Sequence, residues 1–553
     1  MNRLVAFCVL GIGALAACGR PAVPPADVVV YGRVWTGDSA RPRAAGIALR
    51  GDSVVAVGSR REIGRYRGPS TQVIDAADGS VLPGLGDSHT HFIDGGFQLM
   101  SVDLRDADSP AEFVRRIAGF ASRLPRGRWI LGGDWDHERW PGAPLPDRSW
   151  IDSVTPDNPV FVSRLDGHMG VANSLALRLA RVTRASRTPA GGEIVRDAAT
   201  GEPTGVLKDN AMDAVWGAVP DRTGEENDSA LAVALRHAAE LGLTSVHLMS
   251  GWEDLATLRR ARARNALTAR FYAFVPLGTW RRLADTIRAS GRGDDWLSWG
   301  GLKGFMDGSL GSTTAAFFEP YRDAPSSRGL MVSDSATMRE WILSADSAGL
   351  QVAVHAIGDH ANARLLDIYA ETERLHGPRD RRFRDEHTQH LRHSDVARFG
   401  QLGVVPAMQP YHAIDDGRWA WKRLDTLRLR GTYAFRSLLG TGARLAFGSD
   451  WSVAPLSPVL GIYAAVTRRT LDGSNPGGWF PEEKLDLEDA LRAYTSGVAY
   501  AGFMEGKTGI LRPGMLADVV ALDRDIFSMP AESLSTVLVR ATIAGGRVVY
   551  ERR

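Results

Sequence analysis

Through the middle of the chain, apolar runs of about five to eleven residues alternate with longer helix-like stretches. Alternating strands and helices of this kind predict a parallel α/β architecture. Eight runs qualify as strands: Val81–His91, Leu243–Met249, Thr268–Phe274, Leu302–Asp307, Gln351–His355, Phe383–His387, Val404–Gln409 and Arg444–Asp450. Eight strands predict a (β/α)8 TIM barrel over residues 81–498. The stretch between the first two runs is far longer than a usual βα connection, so it should carry an inserted subdomain at about residues 110–240. Shorter β-rich runs broken by Gly and Asp occupy both ends, Ala26–Gly32 and Gly46–Gly58 at one and Ala517–Leu522, Val537–Ile543 and Arg547–Tyr550 at the other. Neither set is large enough to fold alone, which predicts one β-sandwich built from residues 27–80 and 499–553.

Composition narrows the partners. The chain has 553 residues, with Lys+Arg 66 against Asp+Glu 64 and no basic stripe, so neither a nucleic acid nor a polybasic membrane contact is expected. A small-molecule substrate is expected instead, and homo-oligomerisation stays open. Residues 1–17 have the basic start and short apolar core of a signal peptide. They end in Leu15-Ala16-Ala17-Cys18-Gly19, similar to the bacterial lipobox, with residues 18–26 as a proline-rich tether. Lipidation at Cys18 would make this an exported lipoprotein anchored at the cell envelope, on the outer membrane where the source has one. Cys8 and Cys18 are the only cysteines, so the body of the protein has no disulfide and no thiolate metal site.

Candidate chemistry sits where the apolar runs stop. The first ends Asp87-Ser88-His89-Thr90-His91, and residues two apart on an extended strand face the same way, so both imidazoles can reach one cation. Strand four carries Lys303 in Gly301–Ser312, strand five ends Val354-His355-Ala356-Ile357-Gly358-Asp359, and strand eight ends Gly448-Ser449-Asp450-Trp451. Strand six gives Arg384-Asp385-Glu386-His387-Thr388-Gln389-His390, where His387, His390 or His393 could be the donor. The C-terminal strand ends are where a (β/α)8 barrel places its chemistry.

In this order the motifs resemble the amidohydrolase superfamily, and most closely the branch that includes N-substituted formamide deformylases. The resemblance runs from residue 27 onward and takes in Gly133-Asp134-Trp135-Asp136, Arg164–His168 and Asn173-Ser174 of the insert. It implies His89 and His91 on a first divalent cation, His355 and His387 on a second, and Lys303 carboxylated to a bridging carbamate. Asp450 would ligate the first cation and act as general base. Zn²⁺ suits these donors, and Mn²⁺, Fe²⁺ or Ni²⁺ are also accommodated. The implied reaction is cleavage of carbon–nitrogen bonds of small molecules by metal-bound hydroxide, with His168 or Tyr411 as a donor to the oxyanion. The same centre could serve a cyclic-amide, ester or deaminating hydrolase, and a non-catalytic, metal-containing binding lipoprotein is the alternative from another class. A lysine that only snorkels to the barrel mouth is the competing account of Lys303. Trp135, Tyr411 and Trp451 are expected at the substrate, although the tryptophans at 129, 135, 140 and 150 could equally pack the insert. His247, at the end of strand two, could line the mouth without binding metal, and His360 and His412 are expected in outer layers or on the surface.

Overall fold

The computed structural model describes residues 23–137, 140–164, 169–189, 192–249, 251–311 and 313–552. The signal and lipobox segment, Cys18 included, lies outside the described residues, as do His168 and Ser312.

All eight barrel strands are present, in ladder order Leu85–Thr90, Leu243–Met249, Arg270–Pro276, Leu297–Phe305, Gln351–Ala356, Arg384–His387, Val405–Met408 and Ala446–Phe447. Each neighbouring pair is parallel. Their near-continuous burial is what a sheet covered on both faces requires. The barrel closes beyond the eighth strand, where Asp450 N donates to His89 O at 2.8 Å and Trp451 bridges Thr90 in parallel.

Both chain ends form the β-sandwich domain. Its seven strands run Arg547–Glu551, Val539–Ala544, Val519–Leu522, Gln72–Pro83, Val28–Trp35, Arg43–Arg50 and Ser53–Gly58 around a core that includes Val30, Ile47, Ile74, Val519 and Ile543. The apolar run expected as one strand from Val81 to His91 is two. Val81–Pro83 pairs with Val519–Ala521 in the terminal sheet, and the barrel strand starts at Leu85. The chain turns at Gly84, where a Cβ would sit 2.0 Å from Thr244 Oγ1, so only glycine lets the two sheets meet this closely. A buried bidentate pair, Arg270 to Asp518 at 2.7 and 3.0 Å, ties the sandwich to the barrel.

The insert is smaller than the sequence pattern suggests. Its six-stranded sheet runs from Val102–Asp103 to Pro203–Asp209 with a core of its own, including Val102, Phe113, Trp135, Trp140 and Val162. The helix Gly224–Glu240, expected inside it, belongs to the barrel. A capping box of Thr223 and Glu226 starts that helix, and Ala230, Leu231, Ala234, Leu235 and Ala238 bury its inner face in the main core.

Candidate metal centre

His89 is the next-to-last residue of the first barrel strand and His91 caps the following helix, Phe92–Leu99. Both imidazoles converge on one carboxylate oxygen: Asp450 Oδ1 stands 3.3 Å from His91 Nε2 and 3.6 Å from His89 Nε2. Asp450 reaches that position with φ at 58°, a left-handed conformation that Asp tolerates better than most residues. The turn into it depends on Gly448, whose Cβ would meet Asp87 Oδ1 at 2.5 Å and His89 N at 2.6 Å. Asp87 accepts from the backbone N–H groups of His89 and Ser449, stitching the two strand ends together.

Lys303 enters from strand four with Nζ 3.3 Å from His89 Nε2. The rings of His89 and His387 are 4.8 Å apart and those of His387 and His355 4.6 Å, so imidazoles from strands one, six and five form a file across the barrel mouth. His387 Nδ1 donates to Gln409 Oε1 at 2.8 Å, and His355 Nε2 donates to the Gly308 carbonyl at 3.0 Å. His387 also has positive φ, 78°, where a residue other than glycine is strained and persists only because its surroundings fix it. His390 turns away to Thr432 Oγ1 at 2.8 Å.

Behind His89 the barrel interior is charged. His89 Nδ1 donates to Glu386 Oε2 at 2.5 Å, and Arg384 holds Glu386 from Nε at 2.6 Å and Nη2 at 3.0 Å. Arg384 also donates to Ser88 O and to His247 Nδ1. Burial would raise Glu386, but Arg384, His89 and Lys303 more than offset it and hold the carboxyl down at about 2. An ionised acceptor fixes the proton of His89 on Nδ1 and turns the Nε2 lone pair towards Asp450. Burial, reinforced by Lys303, lowers His89 to about 4 and His355 to about 3, so both rings are neutral at ordinary pH. Burial also pushes the Lys303 amine down to about 8, against the pull of Glu386 and Asp450. For Asp450 burial acts upward, yet His89, His91, His387 and His412 outweigh it and hold the carboxyl well below its usual range.

The donors fit a divalent cation. Asp450 Oδ1 is buried and forms no hydrogen bond of acceptable geometry. Single donor atoms of His89, His91 and Asp450 lie within 4.8 Å of one another, as do those of His387, His412 and Asp450. Imidazoles beside an ionised carboxylate, with an orphan oxygen between them, form a site that a cation completes.

Thus the six expected ligands His89, His91, Lys303, His355, His387 and Asp450 come together. Other expectations need correcting. Trp135 is fully buried, donates its Nε1 to Val162 O and packs on Phe113 and Trp140, so it belongs to the insert's core and does not face substrate. Trp451 is buried and packs between Phe92 and His237, over Gly95. His247 does not line the mouth; it is buried among Tyr272, Phe274 and Arg384 inside the barrel. Tyr411 is half-buried at the start of the helix Pro410–Asp416, where burial raises its hydroxyl above the usual range. His168 lies outside the described residues. His412, expected in an outer layer, is instead part of the cluster. Its only sequence signal is its place three residues after Gln409, at the end of strand seven.

Comparison with known proteins agrees with this geometry. The profile of the amidohydrolase family matches residues 72–550. The chain is 39% identical to the Arabidopsis thaliana protein LONG AFTER FAR-RED 3 over 545 residues, 95% of this chain and 93% of that protein. It is 27% identical to an N-substituted formamide deformylase of Arthrobacter pascens, covering 95% of this chain and 98% of the enzyme. Among solved structures it is similar to an uncharacterized metal-dependent hydrolase from Pyrococcus horikoshii, with a TM-score of 0.74 at 28% identity, covering 91% of this chain and 99% of that one.

Proposed function

The chain belongs to the amidohydrolase family and is a hydrolase of its metal-dependent kind, and from that premise we propose that it cleaves amide-type carbon–nitrogen bonds of small molecules. The observation that carries this reading is the buried, unsatisfied Oδ1 of Asp450 between imidazoles of different strands. His89, His91 and Asp450 would hold one divalent cation, and His355 and His387 a second. A bound cation of this kind polarises a carbonyl and makes water more acidic.

Asp450 takes a proton from the attacking water and returns it to the leaving nitrogen as the carbon–nitrogen bond breaks. Its low pKa keeps it ionised and ready to accept. Lys303 is proposed as a carbamate. A buried amine pushed down to about 8 is in part uncharged at neutral pH; the neutral nitrogen adds CO₂, releases one proton and becomes an anionic oxygen donor. A plain ammonium 3.3 Å from His89 Nε2 would instead repel a cation.

The deciding experiment measures metal content and turnover together on a panel of N-formyl amines, N-acyl amino acids, cyclic amides and esters, with bicarbonate present. The formamide deformylase relative supports placing N-formyl amines first in that panel. Chelator-sensitive hydrolysis of an amide is expected. Full metal occupancy without turnover on any member would overturn the proposal.

Cys18 is proposed as a lipidation site. Cys18→Ser should then move the protein from the membrane to the soluble fraction, and unchanged membrane association would refute it.

A further inference from the structure

His412 approaches the centre from outside the set of strand ends. The short helix Pro410–Asp416 begins directly after strand seven, and its N-cap, Gln409, is bonded to His387 Nδ1, so the start of the helix is locked to the cluster. His412 N donates back to Gln409 O at 3.1 Å. One ring nitrogen lies within 4.8 Å of both an Asp450 carboxylate oxygen and a His387 ring nitrogen. Nε2 is buried and has no hydrogen-bond partner among the described residues. The residue as a whole nevertheless keeps partial exposure, whereas His89 has none. A buried donor without a partner is costly, and such an atom in a native site calls for a ligand.

We infer that His412 is a catalytic residue that donates a hydrogen bond from Nε2 to the substrate's carbonyl oxygen as negative charge builds on it. The inference rests on the hydrolytic reading above. In that reading His89, His91, Lys303, His355, His387 and Asp450 already fill both cation positions, which leaves His412 for substrate. The neighbouring Asp450 carboxylate favours hydrogen on the ring nitrogen that points inward, and an N–H there meets an oxygen rather than a cation. When water attacks the carbonyl carbon, the π pair moves to oxygen and the His412 N–H stabilises it without transferring its proton. As the carbonyl re-forms, the carbon–nitrogen bond breaks and Asp450 delivers the proton it took from water to the leaving nitrogen.

The test compares wild type, His412→Ala and His412→Gln. It uses the panel amide that wild type hydrolyses fastest, methylphosphonate as a tetrahedral mimic and acetate as a planar control. His412→Ala should lose about 10²–10³-fold in kcat, the usual effect of removing one oxyanion donor, with KM changed only a few-fold. Metal per chain should stay at the wild-type value. Affinity for methylphosphonate should fall while that for acetate holds. His412→Gln keeps an N–H donor and should recover part of the lost kcat; it also serves if the alanine variant fails to fold. Loss of metal in both variants would make His412 a ligand and overturn the inference, and unchanged kcat in both would make it a spectator. Absence of wild-type turnover on every panel member would overturn the hydrolytic reading first, and this inference with it.

Discussion

The His89 and His387 rings stand 4.8 Å apart, yet opposite chemistry holds them. Behind His89 is a fully buried carboxylate–guanidinium pair, Glu386 and Arg384, itself tied to Ser88 and His247. Behind His387 is a neutral amide, Gln409, oriented by its own bond to the Ala407 carbonyl at 3.3 Å, and behind His355 a backbone carbonyl. Both arrangements fix a tautomer, but only the first places a carboxylate beside the ring and so makes its free nitrogen a stronger electron-pair donor. If two cations bind as proposed, one barrel mouth therefore offers them a tight half and a loose half. The tight half is expected to keep its ion through dilution and mild chelation, and the loose half to exchange.

The comparison can be broken outright at the proposed bridge and at the head of the tight half. Lys303→Ala should abolish turnover and deplete metal in both halves, and His89→Ala should abolish turnover and deplete the tight half, measured by elemental analysis after gel filtration. Lys303→Arg should not rescue, because a guanidinium cannot become an anionic ligand.

Next in size is Glu386→Gln. It removes the charge behind His89 and leaves Arg384 buried without its partner. Metal affinity in chelator competition should fall about 10–100-fold, and chemical denaturation should show a loss of about 3–5 kcal/mol. Equal weakening of both halves would contradict the asymmetry.

The pH dependence of reconstitution isolates Lys303. Its amine is lowered to about 8, so the neutral form that adds CO₂ grows as pH rises towards that value. At fixed dissolved CO₂, cation uptake by the apoprotein should speed up about tenfold per pH unit below 8 and level off above it. His89 and His355, at about 4 and 3, contribute nothing to this slope. A flat profile between pH 6 and 8, the range about two units wide below that amine's value, would remove the carbamate.

The smallest effects fall on the loose half. Gln409→Leu should weaken the second cation by no more than about tenfold, the low end for loss of an outer partner. Gln409→Glu should tighten it, making the halves alike. Sequential release in a chelator titration of wild type, merging into one step in Gln409→Glu, is the pattern to look for.

The barrel was legible in the sequence, and so were the six candidate ligands, five because they stand at the end of an apolar run and Lys303 through the motif around it, and those patterns are local. What holds the ligands was not. Glu386 meets His89 across 297 residues of chain, and Gln409 is one polar residue among many after strand seven. His412 sits on a helix of seven residues, too short to show a period. The two tryptophans misled for a physical reason. Trp451 follows Asp450 directly, but the backbone is left-handed at Asp450, so nearness in sequence does not put the ring at the mouth, and it packs in the core over Gly95. Trp135 has an indole N–H that needs a partner when buried, and the strand Phe161–Arg164 provides one through Val162 O.

The single-residue joint at Gly84 ties the order of synthesis to the chemistry. The strand that carries His89 leaves the terminal sheet one residue earlier, and in that sheet Val81–Pro83 is paired by Val519–Ala521, more than four hundred residues downstream. Gly84 N itself donates to Asp518 O. A ribosome adds about 5–20 residues per second, so the segment that sets the register of the first ligand-bearing strand emerges tens of seconds after that strand. The first two ligands of the centre are made early, and their strand is fixed in place only after residues 519–521 have emerged.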